Sequence, residues 1–153
     1  MPTELERILP LLLPRAIEWV EAQSALILET GEPLTAYQRR LADAVGVAHP
    51  DQVRMKVVDT LPLPEDVELR NVAVAAGLMG PGSIGVTYGY GIYVRDGYVT
   101  NRLVSHECRH VHQYEQAGSI EAFLPVYLQQ IVTVGYHDAP FEIDARRHER
   151  DIA

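Results

Sequence analysis

A single cysteine, Cys108, among 153 residues excludes an internal disulfide framework and removes any sign of an oxidising compartment. Long apolar runs are also missing. The run from Ile8 to Leu13 is interrupted by Pro10 and ended by Pro14, with Glu4 and Glu6 before it where a secretory signal would carry positive charge. No segment approaches the roughly 20 apolar residues of a membrane helix, so the expectation is a cytoplasmic protein with no membrane partner. Clustered basic residues are scarce. Lys and Arg number 13 against 21 Asp and Glu, for a net charge of −8, which argues against nucleic acid as a partner. The nearest basic cluster, Arg146-Arg147-His148, is diluted by Glu149 and Asp151. Repeats, low-complexity tracts and Ser/Gly linkers are absent as well. Residues 1–153 therefore read as one domain.

What is present is an alternation of element signals. Pro14 suits the first turn of a helix running to about Thr30, with Gly31 as its stop, and Thr35 suits the cap of a second helix ending near Gly46. Val53, Met55 and Val57 alternate with Arg54, Lys56 and Val58 as in a half-buried strand. A helix is expected from about Glu65 to Ala76, then β structure in the glycine-rich stretch that ends at the Asp96-Gly97 turn. Asn101 to Gln116 lacks proline and glycine and is closed by Gly118. Ile120–Val134 and a segment opened by Pro140 are the last two helices. The fold class is α+β: a small, mostly antiparallel sheet packed on a helical C-terminal half.

Within the 101–116 helix lies His-Glu-Cys-Arg-His at 106–110. Residues four apart on a helix project side by side, so His106 and His110 can share a metal, and zinc accepts imidazole nitrogen. Glu107 stands at the edge of that face. It is too offset to be a comfortable ligand but is placed to reach a water on the metal, as hydrolytic zinc chemistry requires. Cys108 points about 200° from His106 and reads as a buried structural thiol. A catalytic zinc needs a third protein ligand. The long metzincin pattern is excluded, because Gln stands at both 113 and 116 where it wants Gly and His, and His112 lies on the far side of the helix. Asp138, His137, Glu142, Asp144 and His148 remain. Glu142 is preferred, since it sits in the first turn of the helix that Pro140 opens.

His-Glu-x-x-His on one helix, about thirty residues, then Glu-x-x-Ala (Glu142 to Ala145) opening another helix resembles the gluzincin zinc metallopeptidases, above all their minimal single-domain members. The resemblance covers about Gly89 to Arg147. It implies zinc on His106, His110 and Glu142, with Glu107 as the general base acting on a metal-bound water. It also implies a peptide or protein substrate held along a strand edge at Ile92-Tyr93-Val94 by main-chain hydrogen bonds. One position departs. Larger gluzincins follow Glu-x-x-Ala with an aspartate that orients the first histidine. Here Arg146 stands there, which leaves Asp144, Asp138 or a backbone carbonyl for that role.

An oxyanion donor is expected near the metal, with Tyr136 the first candidate and His137, Tyr127 and His112 behind it. Tyr88, Tyr90 and Tyr93 are expected on one sheet face, Trp19 in the core and His49 in a solvated turn. The functional expectation is a zinc-dependent metallopeptidase. Its rivals are a zinc-binding module of the same fold with little peptidase activity, and a helical interaction protein in which the histidine motif is incidental.

Overall fold

A computed structural model describes residues 1–150. Their order is α1 (Glu4–Thr30), β1 (Glu32–Pro33), α2 (Ala36–Ala44), β2 (Arg54–Val58), α3 (Val67–Ala75), β3 (Gly85–Tyr88), β4 (Gly91–Arg95), α4 (Asn101–Ala117), α5 (Ile120–Val134) and α6 (Pro140–Arg147). The class is α+β, as the sequence implies. The strands form one sheet in the order β1-β2-β4-β3. Pairings β1/β2 and β3/β4 are antiparallel, whereas β2/β4 is parallel, with Arg54 opposite Gly91 and Val58 opposite Arg95. A parallel pair cannot be closed by a hairpin, so the chain between β2 and β4 makes a crossover that carries α3 and β3.

Helices cover both sheet faces. On one side Leu41 and Val45 from the α2 region meet Met55, Ile92, Val94 and the Val104/Cys108/Val111 stripe of α4. On the other, Val20 and Ile27 of α1, Leu69 of α3 and Leu124 of α5 meet Tyr88 and Tyr93. Val104, Cys108 and Val111 are at most 1 % exposed. Each such valine contributes roughly 1.5–3 kcal/mol by its burial, which fixes the rotation of α4 and hence the direction of its opposite, histidine-bearing face. Thr100 caps α4 by accepting from the Leu103 N–H, and Gly118 ends it at φ +97°, the left-handed conformation that a side chain disfavours.

Three expectations are corrected here. The first helix begins at Glu4 rather than near Pro14, because Thr3 and Glu6 form a reciprocal capping box. Pro10 and Pro14 are tolerated inside it because both lie on the exposed side, where the carbonyls they leave unpaired can meet water. Second, Ile92–Val94 is not a sheet edge. β4 is paired on both sides, and the edge strand next to it is β3. Third, Tyr90 does not share a face with Tyr88 and Tyr93. The chain turns between β3 and β4, so Tyr88 and Tyr93 meet edge to face at 6.2 Å, while Tyr90 packs on the opposite core and donates to Glu115 at 2.7 Å.

Candidate metal centre

The rotation of α4 sends His106 and His110 toward α5 and α6. Pro140 starts α6 at its first position, and Glu142 follows in the first turn, 1 % exposed. One donor atom from each of His106, His110 and Glu142 lies within 4.8 Å of the other two, and among the described residues no other group of three such side chains converges in this way. The remaining candidates for a third ligand are elsewhere. Asp144 is held by the Arg109 guanidinium at 2.7 Å, and His137 and Asp138 are exposed. His148 bonds the Asp144 carbonyl at 2.8 Å.

Hydrogen bonds fix which imidazole nitrogens face the centre. Gln113 donates through Nε2 to the Phe141 carbonyl and to Asp144, each at 2.9 Å, so its amide oxygen is the atom 2.7 Å from His110 Nδ1. That nitrogen therefore carries the hydrogen. Glu149 accepts from His106 Nδ1 at 2.8 Å in the same manner. Both Nε2 atoms consequently turn toward the Glu142 carboxylate, at 3.2 Å from His106 and 3.0 Å from His110. A nitrogen lone pair facing a carboxylate oxygen is repulsive. Only a cation between them relieves it: a proton on each ring, or a metal ion.

The titration behaviour follows from that geometry. Burial opposes protonation of His106, but the bond from Glu142, the charges of Glu107 and Glu142, and the bond to Glu149 outweigh it and raise the imidazole to about 9. His110 is raised against the same burial, first by Glu142. Burial pushes Glu142 upward, yet the two imidazoles hold it well below the usual carboxylate range. Without metal, the His106 ring is thus protonated at neutral pH. Uptake of one divalent ion at pH 7 is expected to release at least about one proton, measurable by calorimetry in buffers of different ionisation enthalpy. Metal-free protein should also be stabilised by His106 fully below pH 6.5, the ordinary histidine value, and lose that contribution as pH rises through about 9. The difference is worth roughly 3 kcal/mol, and thermal melts of chelator-treated protein across that window measure it.

Glu149 is the partner that the sequence reading missed. Arg146 occupies the position expected of an aspartate, and its guanidinium turns away to the His137 carbonyl. Glu149 stands seven residues after Glu142 but beyond the C-terminal end of α6, so helical spacing did not point to it. Asp144, one of the acids considered for His106, instead supports Gln113 and through it His110. Gln113→Ala and Glu149→Ala are each expected to weaken zinc binding about 10–100-fold, read by competition with a chromogenic chelator.

Around the three donors, Glu107 is 4 % exposed and receives the Thr87 hydroxyl on Oε1 at 2.8 Å. Gly85 of β3 lies against it: a Cβ there would stand 3.2 Å from Glu107 Oε2. Tyr127 donates to Glu142 at 2.7 Å and stacks on Phe123 and Phe141, so it holds the carboxylate rather than facing an open position. Tyr136, 38 % exposed, has its hydroxyl kept protonated by burial and by the charges of Glu142 and Glu107. His112 bonds the Gly46 carbonyl outside the centre. Cys108 is fully buried in the core, Trp19 meets Tyr88 edge to face, and His49 is exposed, each as expected.

Two hollows meet at this point. An open cleft of about 580 Å³ is lined by His106, Arg102, Glu149 and the Gly77–Gly85 segment. An apolar cavity of about 130 Å³ reaches back between α1, α3 and α5 to His110 and Glu142. Glu107 and Tyr136 border both, so the three donors straddle the junction.

No family model, curated protein or solved structure matches this chain. Among the described residues no helix is long and apolar enough to cross a membrane.

Proposed function

We propose that this protein is a zinc-dependent hydrolase that cleaves peptide bonds, with His106, His110 and Glu142 as the metal ligands. The observation that carries this reading is the tautomer lock. Gln113 and Glu149 leave both Nε2 lone pairs aimed at an acceptor-only carboxylate, which suits a divalent cation better than any neutral partner. Two imidazoles and one carboxylate are a donor set that zinc favours, and three protein ligands are the number a catalytic rather than a structural zinc takes. When bound, the ion supplies Lewis acidity that brings water's pKa to about 7 and polarises a carbonyl.

The chain's own residues supply the rest. Glu107, oriented by Thr87, takes the proton from the attacking water and delivers it to the departing amine nitrogen. Tyr136, whose hydroxyl stays protonated, donates to the oxyanion. An extended peptide lies along β3, which has a pairing partner on one side only and passes Gly85 beside Glu107. This moves the substrate strand from Ile92–Val94, which the resemblance implied, to Gly85–Tyr88.

A direct test uses zinc-loaded protein on a mixed peptide library with mass-spectrometric readout. Cleavage that stops on chelation and returns with zinc supports the reading. A stoichiometric zinc protein that cleaves nothing favours the binding-module alternative. For Tyr136→Phe, kcat should fall about 10²-fold with KM little changed, because the lost hydrogen bond forms only in the transition state.

A further inference from the structure

Arg109 lies inside the histidine run but has no part in the chemistry above. It precedes His110 by one position, so its side chain leaves α4 about 100° round from the ligand face. There the guanidinium, 18 % exposed, bridges α6 and the end of α2. Nε and Nη2 donate to the two Asp144 carboxylate oxygens at 2.7 and 3.2 Å, and Nη1 donates to the Val45 carbonyl at 2.8 Å. Val45 is the C-cap of α2, where unpaired carbonyls and the helix dipole favour a cation. The place leaves no spare room. Gly46 stands at φ +102°, and a Cβ there would come to 3.0 Å from both Arg109 Nη1 and His112 Nδ1.

Asp144 is where this anchor meets the metal centre. Burial pushes its carboxyl upward, but the bonds from Arg109 and Gln113 hold it below the usual range, so it remains an acceptor. His148 stands farther off, 3.5 Å from Asp144 Oδ1. A two-pronged guanidinium fixes a carboxylate in direction as well as position, which a single donor does not. The Gln113 amide nitrogen donates to Asp144 and to the Phe141 carbonyl, which leaves the amide oxygen for His110 Nδ1. An unbroken chain of hydrogen bonds therefore runs from the end of α2 to the His110 ring.

We infer that Arg109 is a positioning residue for the metal centre: by fixing Asp144 it holds the Gln113 amide, and so sets the tautomer and tilt of His110. The inference rests on the metal-binding part of the proposed function. If Arg109 served only to tie α2 and α6 to α4, its loss would lower stability and leave the zinc affinity of the folded protein unchanged.

The test is a cycle of Arg109→Met and Gln113→Ala, singly and together, on zinc affinity read by competition with a chromogenic chelator. Arg109→Met should weaken zinc binding about 10-fold, the lower end of what loss of an outer partner costs. Because Arg109 acts through Gln113, the double variant should match Gln113→Ala alone to within about twofold. His112→Ala cuts the other bond to the α2 terminus, at the Gly46 carbonyl, and should leave zinc affinity unchanged. Unchanged affinity in a folded Arg109→Met protein overturns the inference. So does a double variant whose loss is the product of the two single losses, or a His112→Ala loss equal to that of Arg109→Met. Should Arg109→Met fail to fold, Arg109→Lys replaces it in the same cycle with a loss of at least about threefold, since an ammonium keeps the charge but not the fork. If wild-type protein takes up no zinc, the metal reading fails, and proton NMR of the metal-free protein decides the relay. The His110 Hδ1 resonance, protected by Gln113, should be present in wild type and lost to solvent exchange in Arg109→Met and Gln113→Ala alike. Its persistence in Arg109→Met overturns the inference.

Discussion

Glu107→Gln will leave zinc content unchanged and lower peptide hydrolysis by about 10²–10⁴-fold, the range that a positioned general base contributes. The substitution is isosteric, and the Thr87 hydroxyl that donates to Oε1 at 2.8 Å can donate equally to an amide oxygen. The buried side chain therefore keeps the hydrogen bond that Thr87 makes to it. What disappears is the capacity to accept a proton. Zinc content by metal analysis and kcat/KM on a cleaved peptide should consequently separate cleanly. Full activity in a zinc-replete Glu107→Gln protein would remove Glu107 from the mechanism.

Glu142→Ala should have the largest effect on the metal. It removes one of the three proposed ligands, so zinc affinity should fall well beyond the roughly 10–100-fold expected when a supporting partner is lost. Asp144→Ala belongs to that smaller class, because Asp144 touches Gln113 and Arg109 rather than the centre itself. The metal-free protein should suffer too. His106 and His110 have ring centroids 5.0 Å apart and share Glu142 as counter-charge. Taking it away leaves two buried imidazoles that repel when protonated, a loss of roughly 3–5 kcal/mol. Denaturant unfolding of chelator-treated protein at pH 6 reads it. Comparable zinc affinity in the Glu142→Ala and Asp144→Ala proteins would discard Glu142 as a ligand.

Local signals made much of the site legible. Gly118 and Pro140 are residues whose meaning depends on a few neighbours, and they close α4 and start α6 as expected. The spacing of His106 and His110 dictates a shared face on any helix. Other features depend on distant partners. The parallel β2/β4 pairing joins strands more than thirty residues apart, and no local pattern reports that β4 is interior. Pro10 and Pro14 argue against a long α1 until the helix is known to turn them toward solvent. The last helix was expected to run to about Arg150 but ends at Arg147, so Glu149 reaches His106 from beyond the helix, a placement that no helical spacing reports. The cavity requires α1 and α3 to be placed against α5, and neither carries a motif.

The most direct test of the account is the metal content of protein purified without added metal, measured by plasma mass spectrometry for the wild type and for His110→Ala. The account expects close to one zinc per chain in the wild type and almost none in the variant. Wild-type protein that neither carries a transition metal nor takes up zinc when it is offered would contradict it.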